Sequence, residues 1–183
     1  FVPENYNWGD IQKEKTETVQ YEYHSEYARK PSRVTTTRYN PSGKTTMTAV
    51  ESYTYDDKWN VLTYTKPNGS KETYTYDATY NLPLTQSVQQ DSSTTIKVAN
   101  TLTADKKNIA VSNVTRGTTA VGKTAFSYNT AGQLISRNDY LSSTDYVTTA
   151  YGYGGGALPI SVSVSGVKTA SGTTAAGTPG LVA

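Results

Sequence analysis

The sequence predicts an all-β protein, an array of antiparallel β-hairpins. Three observations point there. A short tyrosine doublet recurs, as Tyr53-Thr54-Tyr55-Asp56, Tyr74-Thr75-Tyr76-Asp77 and Phe126-Ser127-Tyr128-Asn129, with an earlier copy at Tyr21-Glu22-Tyr23-His24. The chain is rich in Thr, Tyr, Val and Ser, and the first three favour strands because branched or ring side chains pack well on a pleated surface. Turn signals are dense, and the alternating segments between them are of strand length.

Repetition of one phrase is the mark of one supersecondary unit used many times. Taking the polar residue after each doublet as an anchor gives His24, Asn40, Asp56, Asp77, Asp105, Asn129 and Gly154, with steps of 16, 16, 21, 28, 24 and 25 residues. Three copies are strong, at 53–62, 74–83 and 126–135. The copy at Arg38-Tyr39-Asn40-Pro41-Ser42-Gly43 is fair, and the one at Leu102-Thr103-Ala104-Asp105-Lys106-Lys107-Asn108 is degenerate.

Each unit reads as strand, tight turn, strand. In Tyr53-Thr54-Tyr55 the rings stand at i and i+2, so they share one face of the strand. The Asp, Asn or His that follows can bond its own backbone and open a turn. The next strand starts at Asn60-Val61-Leu62, Asn81-Leu82-Pro83-Leu84 or Gln133-Leu134-Ile135. A second kind of turn separates the units. Lys66-Pro67-Asn68-Gly69-Ser70 is the clearest, with Pro presetting φ and Asn-Gly accepting positive φ. Gln90-Asp91-Ser92-Ser93 and Leu141-Ser142-Ser143-Thr144 are equivalents. No segment has helical periodicity, although Asp10 to Thr18 fits either a short helix or a strand.

Composition explains how such a chain coheres. Tyr supplies 16 residues against 2 Phe and 2 Trp, while only 35% of the chain is hydrophobic. Mean hydropathy is −0.59. That is thin for a compact core, yet charge is only 17%, which is not the composition of disorder. The expected core is made of Tyr rings and the aliphatic parts of Thr, Val, Leu and Ile.

Charge excludes several partners. The net charge of +2 comes from 17 basic and 15 acidic residues mixed along the chain. No basic block points to nucleic acid. No apolar run reaches the roughly 18 residues of a membrane-spanning helix, so no membrane insertion is expected. There are no cysteines, which removes disulfides and thiolate metal sites. Neither a metal nor a cofactor is expected. The start at Phe1-Val2-Pro3, with no signal peptide, reads as a piece of a longer polypeptide.

The domain reading has three parts: a lead-in at 1–18, the repeat array at 19–164, and a Gly/Ala/Thr-rich tail at 165–183. The tail is either a flexible linker or one more strand pair.

The phrase resembles that of the YD-repeat, or RHS-repeat, family, roughly Tyr-x-Tyr-Asp-x-x-Gly-Asn/Arg-Leu. Tyr53, Tyr55 and Asp56, and Tyr74, Tyr76 and Asp77, match its front half. Tyr128, Asn129, Gly132 and Leu134 match nearly all of it, with Asn for Asp. The resemblance covers about residues 19 to 160. It implies a long sheet of stacked hairpins spiralling into a hollow shell, which in bacterial toxin systems encloses a C-terminal effector. Related repeats build surface stalks, scaffolds and adhesion proteins, and carbohydrate binding has been suggested for some members. By this resemblance the chain is a structural segment of a secreted or cell-surface bacterial protein. Its partners are flanking repeats or other copies of itself, with toxin cargo or a glycan as further candidates. The Asp-Pro-x-Gly type of motif that closes the array in toxin-bearing members is missing, so autoproteolysis does not carry over.

One departure matters for function. The position three after the anchor is Gly43, Gly132 and Asn108 in some copies, but Tyr27, Trp59 and Tyr80 in others. Positive φ there suits Gly and is costly for a large aromatic, so those three turns are expected to adopt another geometry. Lined up on one edge, Tyr27, Trp59 and Tyr80 would make an aromatic strip able to stack on sugars. The alternative is that they cover the sheet, as large aromatics usually do. For the doublets the structural role, ladders of cross-strand rings, outweighs binding, and for Asp56 and Asp77 turn capping outweighs catalysis or calcium. His24 is the single histidine, and there is no Gly-x-Ser-x-Gly elbow beside which it could act. Catalytic residues are therefore not expected, and glycan hydrolysis is the least favoured reading. An isolated chain of this kind is expected to self-associate or to fray at its ends.

Overall fold

The computed structural model describes residues 17–40, 45–169 and 172–173. Among these the protein is entirely β, with antiparallel pairing throughout and no helix. Most of the segment from Asp10 to Thr18 lies outside the described residues, but Glu17 and Thr18 are strand.

Two compact units divide the chain, at 1–73 and 74–183. The first holds β1 (Glu17–His24), β2 (Tyr27–Asn40), β3 (Thr45–Tyr55), β4 (Val61–Thr65) and the start of β5 (Lys71–Tyr76). Each strand pairs with the next in sequence. This is the simplest antiparallel topology, and its connections need only a few residues.

The second unit continues from the end of β5 through β6 (Pro83–Gln89), β7 (Thr95–Leu102), β8 (Ile109–Arg116), β9 (Thr119–Tyr128), β10 (Leu134–Tyr140) and β11 (Tyr146–Gly152). Three short strands follow: β12 (Ser161–Val164), β13 (Lys168–Thr169) and β14 (Gly172–Thr173). The far side of β11 is shared, with β12 along 149–152 and β13 at Tyr146. Within the described part of 165–183, β13 pairs with β14.

Among the described residues neither unit has an apolar centre. Among the described residues no hydrophobic side chain is buried, and the one buried residue is Asp77, 8% exposed. β4 and β11 are half-buried at every position. A sheet packed on one face alternates instead between buried and exposed residues. Stability therefore comes from ladders within the sheet. Tyr53 stacks on its cross-strand partner Tyr64 with ring centroids 4.9 Å apart, and Tyr140 meets Tyr146 at 5.1 Å. On the opposite face the residue between the doublet rings also pairs across. Thr54 and Thr63 share a hydroxyl bond of 2.7 Å, as do Thr75 and Thr85. Each such pair contributes roughly 0.2–1 kcal/mol, so no single one dominates.

Candidate functional site

The repeated turn is the element that recurs with most chemical detail. In the copy at 55–61, Asp56 N–H donates to the Asn60 carbonyl at 3.0 Å, and Trp59 N–H donates to the Asp56 carbonyl at 3.1 Å. The Asp56 carboxylate accepts from the backbone N–H groups of Lys58 and Asn60 and from the Asn60 side chain. Desolvation is the largest single influence on the Asp56 carboxyl and pushes it upward, but these bonds together outweigh it and hold the group below its ordinary value. At 128–134 the arrangement repeats with Asn129, whose Oδ1 accepts from Ala131 and Gln133. Its Nδ2 donates to the Gln133 side chain at 2.7 Å. Asp and Asn are thus interchangeable as anchors, as turn capping requires.

The geometry corrects the expected behaviour of the third position. Trp59 has φ 64°, in the left-handed region also occupied by Gly132 at 79°. The backbone bonds of the turn impose that conformation, and the ring has compensating contacts. It lies edge-on to His24 at 5.0 Å and tilted to Tyr55 at 6.3 Å. Tyr80 escapes the strain because its turn is one residue longer: Asn81 takes φ 63° and donates to the Asp77 carbonyl at 3.0 Å. Asn tolerates this conformation better than an aromatic residue. Tyr27 starts β2 directly opposite His24, so that hairpin turns through Ser25 and Glu26 alone. The Asn40 turn lies outside the described residues, with Gly43.

The degenerate copy is anchored at Thr103, not Asp105. Thr103 N–H donates to the Asn108 carbonyl and Lys106 N–H to the Thr103 carbonyl, both at 2.8 Å. Lys106, not Asn108, takes positive φ, at 59°. Thr103 lies 26 residues after Asp77 and 26 before Asn129, which evens the spacing. Asp105 instead supports the turn from within, accepting the Thr103 hydroxyl at 2.6 Å.

The second ring of the doublet has a distinct task. Tyr55 donates its hydroxyl to the Pro31 carbonyl, Tyr128 to Ile109 and Tyr153 to Leu134, at 2.7, 3.0 and 2.8 Å. The local register is the same in all three. The ladders run through Arg33↔Ser52, Val111↔Ala125 and Ser136↔Ala150. Continued by two residues, each places the acceptor opposite the residue just before the tyrosine. The phenol closes the ladder where the backbone pairing stops. Where the degenerate copy carries Leu102, the register through Thr85↔Ala99 makes Pro83 the corresponding acceptor. There Asn100 Nδ2 donates to the Pro83 carbonyl at 3.0 Å. Asn100 and Tyr153 had no place among the sequence-predicted residues. Tyr153 was legible as the doublet Tyr151-Gly152-Tyr153 ahead of Gly154, but nothing in the sequence marks Asn100.

The first rings serve packing. Tyr53 donates to Glu51 at 2.7 Å while stacking on Tyr64. Burial, then the Glu51 carboxylate, drive its phenol well above its usual range. Tyr74 accepts a long bond from Gln86 at 3.5 Å. Asp77 accepts from the backbone N–H groups of Thr79 and Tyr80, both at 2.8 Å, and its carboxylate lies 3.8 Å from Lys106 Nζ.

Of the three strip candidates, Tyr27 and Trp59 belong to the first unit and Tyr80 to the second. Trp59 is half-buried on its neighbours, whereas Tyr80 is 49% exposed. The second unit carries a groove of about 490 Å³ between the turns at 103–108 and 129–132, lined by Asp105, Lys107, Phe126 and Tyr128 among others. Among the described residues no three His, Asp or Glu side chains converge as metal ligands would.

The fold of the sheet is shared with a solved protein chain. The chain is similar to one in the crystal structure of TcdB2-TccC3-Cdc42. The TM-score is 0.64 at 13% identity, over 87% of this chain and 8% of the other. At that identity the likeness is one of fold, and the chain spans under a tenth of the neighbour's length. No family model and no curated protein matches the sequence.

Proposed function

We propose that the chain is a structural repeat segment of a secreted or cell-surface polypeptide, and that its mechanism is architectural. The observation that carries this reading is the repeated closure of the ladder. Tyr55, Tyr128 and Tyr153 make the same hydroxyl-to-carbonyl bond at the same register position. Such a device joins neighbouring strands, needs no apolar core and can be repeated along a wall of any length. The likeness to the TcdB2-TccC3-Cdc42 chain supports a repeat fold of this kind. A wall segment of a shell around a toxin cargo is the specific form the YD-repeat resemblance favours.

Hydrogen exchange on the intact chain tests the reading. In a repeat array each unit depends on its neighbours, so protection should fall from the interior strands toward the ends. Uniform protection released in one global step would show a single cooperative domain and overturn it.

Glycan stacking is a second proposal, favoured by the exposure of Tyr80. Binding to a glycan array that survives conversion of Tyr27, Trp59 and Tyr80 to Ala would remove the aromatic strip.

A further inference from the structure

β1 is the first described strand of its sheet, and among the described residues it pairs with β2 alone. Natural edge strands are blunted by shortness, Lys, Pro or bulges. The strands β13 and β14 are short in this way, at two residues each. β1 is not. It has eight residues, reads Glu-Thr-Val-Gln-Tyr-Glu-Tyr-His, and contains neither Pro nor a basic residue other than His24. Both register shifts in its ladder come from extra residues on β2, whose partners run from Arg33 to Pro31 to Tyr27, while β1 advances one residue at a time.

The side of β1 turned away from β2 is suited to pairing. Val19, Tyr21 and Tyr23 are 44%, 52% and 50% exposed, and the two rings stack at 6.0 Å on one face. The Glu22 carbonyl faces β2, where it accepts the Ser32 hydroxyl at 3.1 Å. Backbone direction alternates along an antiparallel strand, so the backbone groups of Tyr21, and with it Val19 and Tyr23, turn outward. The residues with exposed apolar side chains are also those that offer hydrogen bonds to a new strand.

We propose that β1 is a homodimerisation strand, pairing antiparallel with β1 of a second copy about a two-fold axis at Tyr21. Tyr21 then faces its own counterpart, and Val19 faces the partner's Tyr23. A second copy is favoured because the strand is self-complementary in one register. A shift of one residue would set the ringed face of one strand against the polar face of the other. Pairing about Glu22 would put two carboxylates directly opposite, which is unfavourable. Pairing about Gln20 would set Tyr23 against Glu17, whose carboxylate already holds Arg38 at 2.7 Å. Pairing about Tyr21 joins all three exposed apolar residues and sets Gln20 opposite Glu22 and Thr18 opposite His24, with no like charges facing. The proposal rests on the repeat-array reading and names one partner for it.

Sedimentation of the intact chain over a concentration series, with cross-linking of single-cysteine variants, decides the point. The native sequence has no cysteine, so introduced thiols report without background. The expected result is a concentration-dependent dimer that Tyr21→Lys weakens about tenfold or more, by setting two ammonium groups opposite each other. A short thiol cross-linker should join Tyr21→Cys to itself, since directly paired strand residues have Cα atoms about 5.5 Å apart. It should join Val19→Cys to Tyr23→Cys only when the two variants are mixed. The Cys variants keep the test valid where Tyr21→Lys fails to fold. A monomer at every concentration, including one whose β1 amides are protected by its own residues 1–16, overturns the proposal. So does cross-linking of Thr18→Cys as strong as that of Tyr21→Cys. A monomer with graded exchange protection would leave the array reading standing. A dimer with uniform protection would remove the array and keep the interface.

Discussion

The Tyr55 hydroxyl donates to the Pro31 carbonyl at 2.7 Å, two residues beyond Arg33, where the backbone ladder between their strands ends. Tyr128 stands in the same relation to Ile109, and Tyr153 to Leu134. In all three the hydroxyl satisfies a carbonyl just past the ladder's end, and at Tyr55 the ring also meets Trp59 of the following turn. Phe in place of Tyr should therefore cost about 1 kcal/mol at each site, the net worth of one hydrogen bond. The loss should be local. Exchange should quicken at 32–33 in Tyr55→Phe, at 109–111 in Tyr128→Phe and at 134–136 in Tyr153→Phe, with the other strands unchanged.

The degenerate copy offers a swap. Asn100→Ala should free the Pro83 carbonyl and destabilise the chain by about 1 kcal/mol, again one bond. Adding Leu102→Tyr should return part of that stability, because residue 102 holds the position that Tyr55 and Tyr128 hold in their ladders. Denaturant melts of the single and double variants measure the coupling, and strictly additive effects would contradict the equivalence.

Two left-handed residues should respond oppositely to Gly. Lys106, at φ 59°, has a side chain 58% exposed and a distant ion pair to Asp77. A non-Gly residue in this conformation costs about 1–2 kcal/mol, and Gly's extra freedom in the unfolded chain offsets part of the relief. Lys106→Gly should be neutral or stabilise by up to about 1 kcal/mol. Trp59→Gly relieves the same strain but removes the ring from His24 and Tyr55. Aromatic contacts are worth about 0.5–1.5 kcal/mol each beyond the area they cover, so this variant should lose stability. Thermal melts compare the pair.

Asp56 should make the chain acid-sensitive. Desolvation is the largest single influence and raises it, but the hydrogen bonds from Asn60 and Lys58 together overcome this and depress the carboxyl in the folded state. A depressed carboxyl adds stability that is fully present above the unfolded value, near 3.9. That stability is lost as pH falls through the folded value. Asp56→Asn should leave stability at neutral pH nearly unchanged, as Asn129 does the same work, and flatten the acid limb of a stability-versus-pH curve.

The alkaline limb belongs to the phenols. Burial raises Tyr55 and Tyr128 above the ordinary 10, and burial with the Glu51 carboxylate raises Tyr53 further. An acid raised in the folded state stabilises fully below its unfolded value and loses that contribution as pH rises through the folded one. Stability should therefore hold to about pH 10 and fall above it. Absorbance titration at the phenolate band should show a late-ionising class that shrinks in Tyr53→Phe.

The sequence by itself determined that this chain is all-β, that it repeats one hairpin phrase and that Asp56, Asp77 and Asn129 open the turns. These are local matters. Ring spacing at i and i+2 follows from the two-residue period of a strand, and a short polar side chain bonds its own backbone within a few residues. The tertiary structure decided what depends on register between strands. It moved the degenerate anchor from Asp105 to Thr103, because a turn is fixed by which amide meets which carbonyl across the hairpin. It put Trp59 in the left-handed conformation, because contacts from His24, more than thirty residues earlier in the chain, offset the strain. It assigned the phenols of Tyr55, Tyr128 and Tyr153 to carbonyls on neighbouring strands, and Asn100 to the one place where that phenol is missing. Repetition along the chain is visible one strand at a time, whereas a ladder's closure depends on the alignment of two.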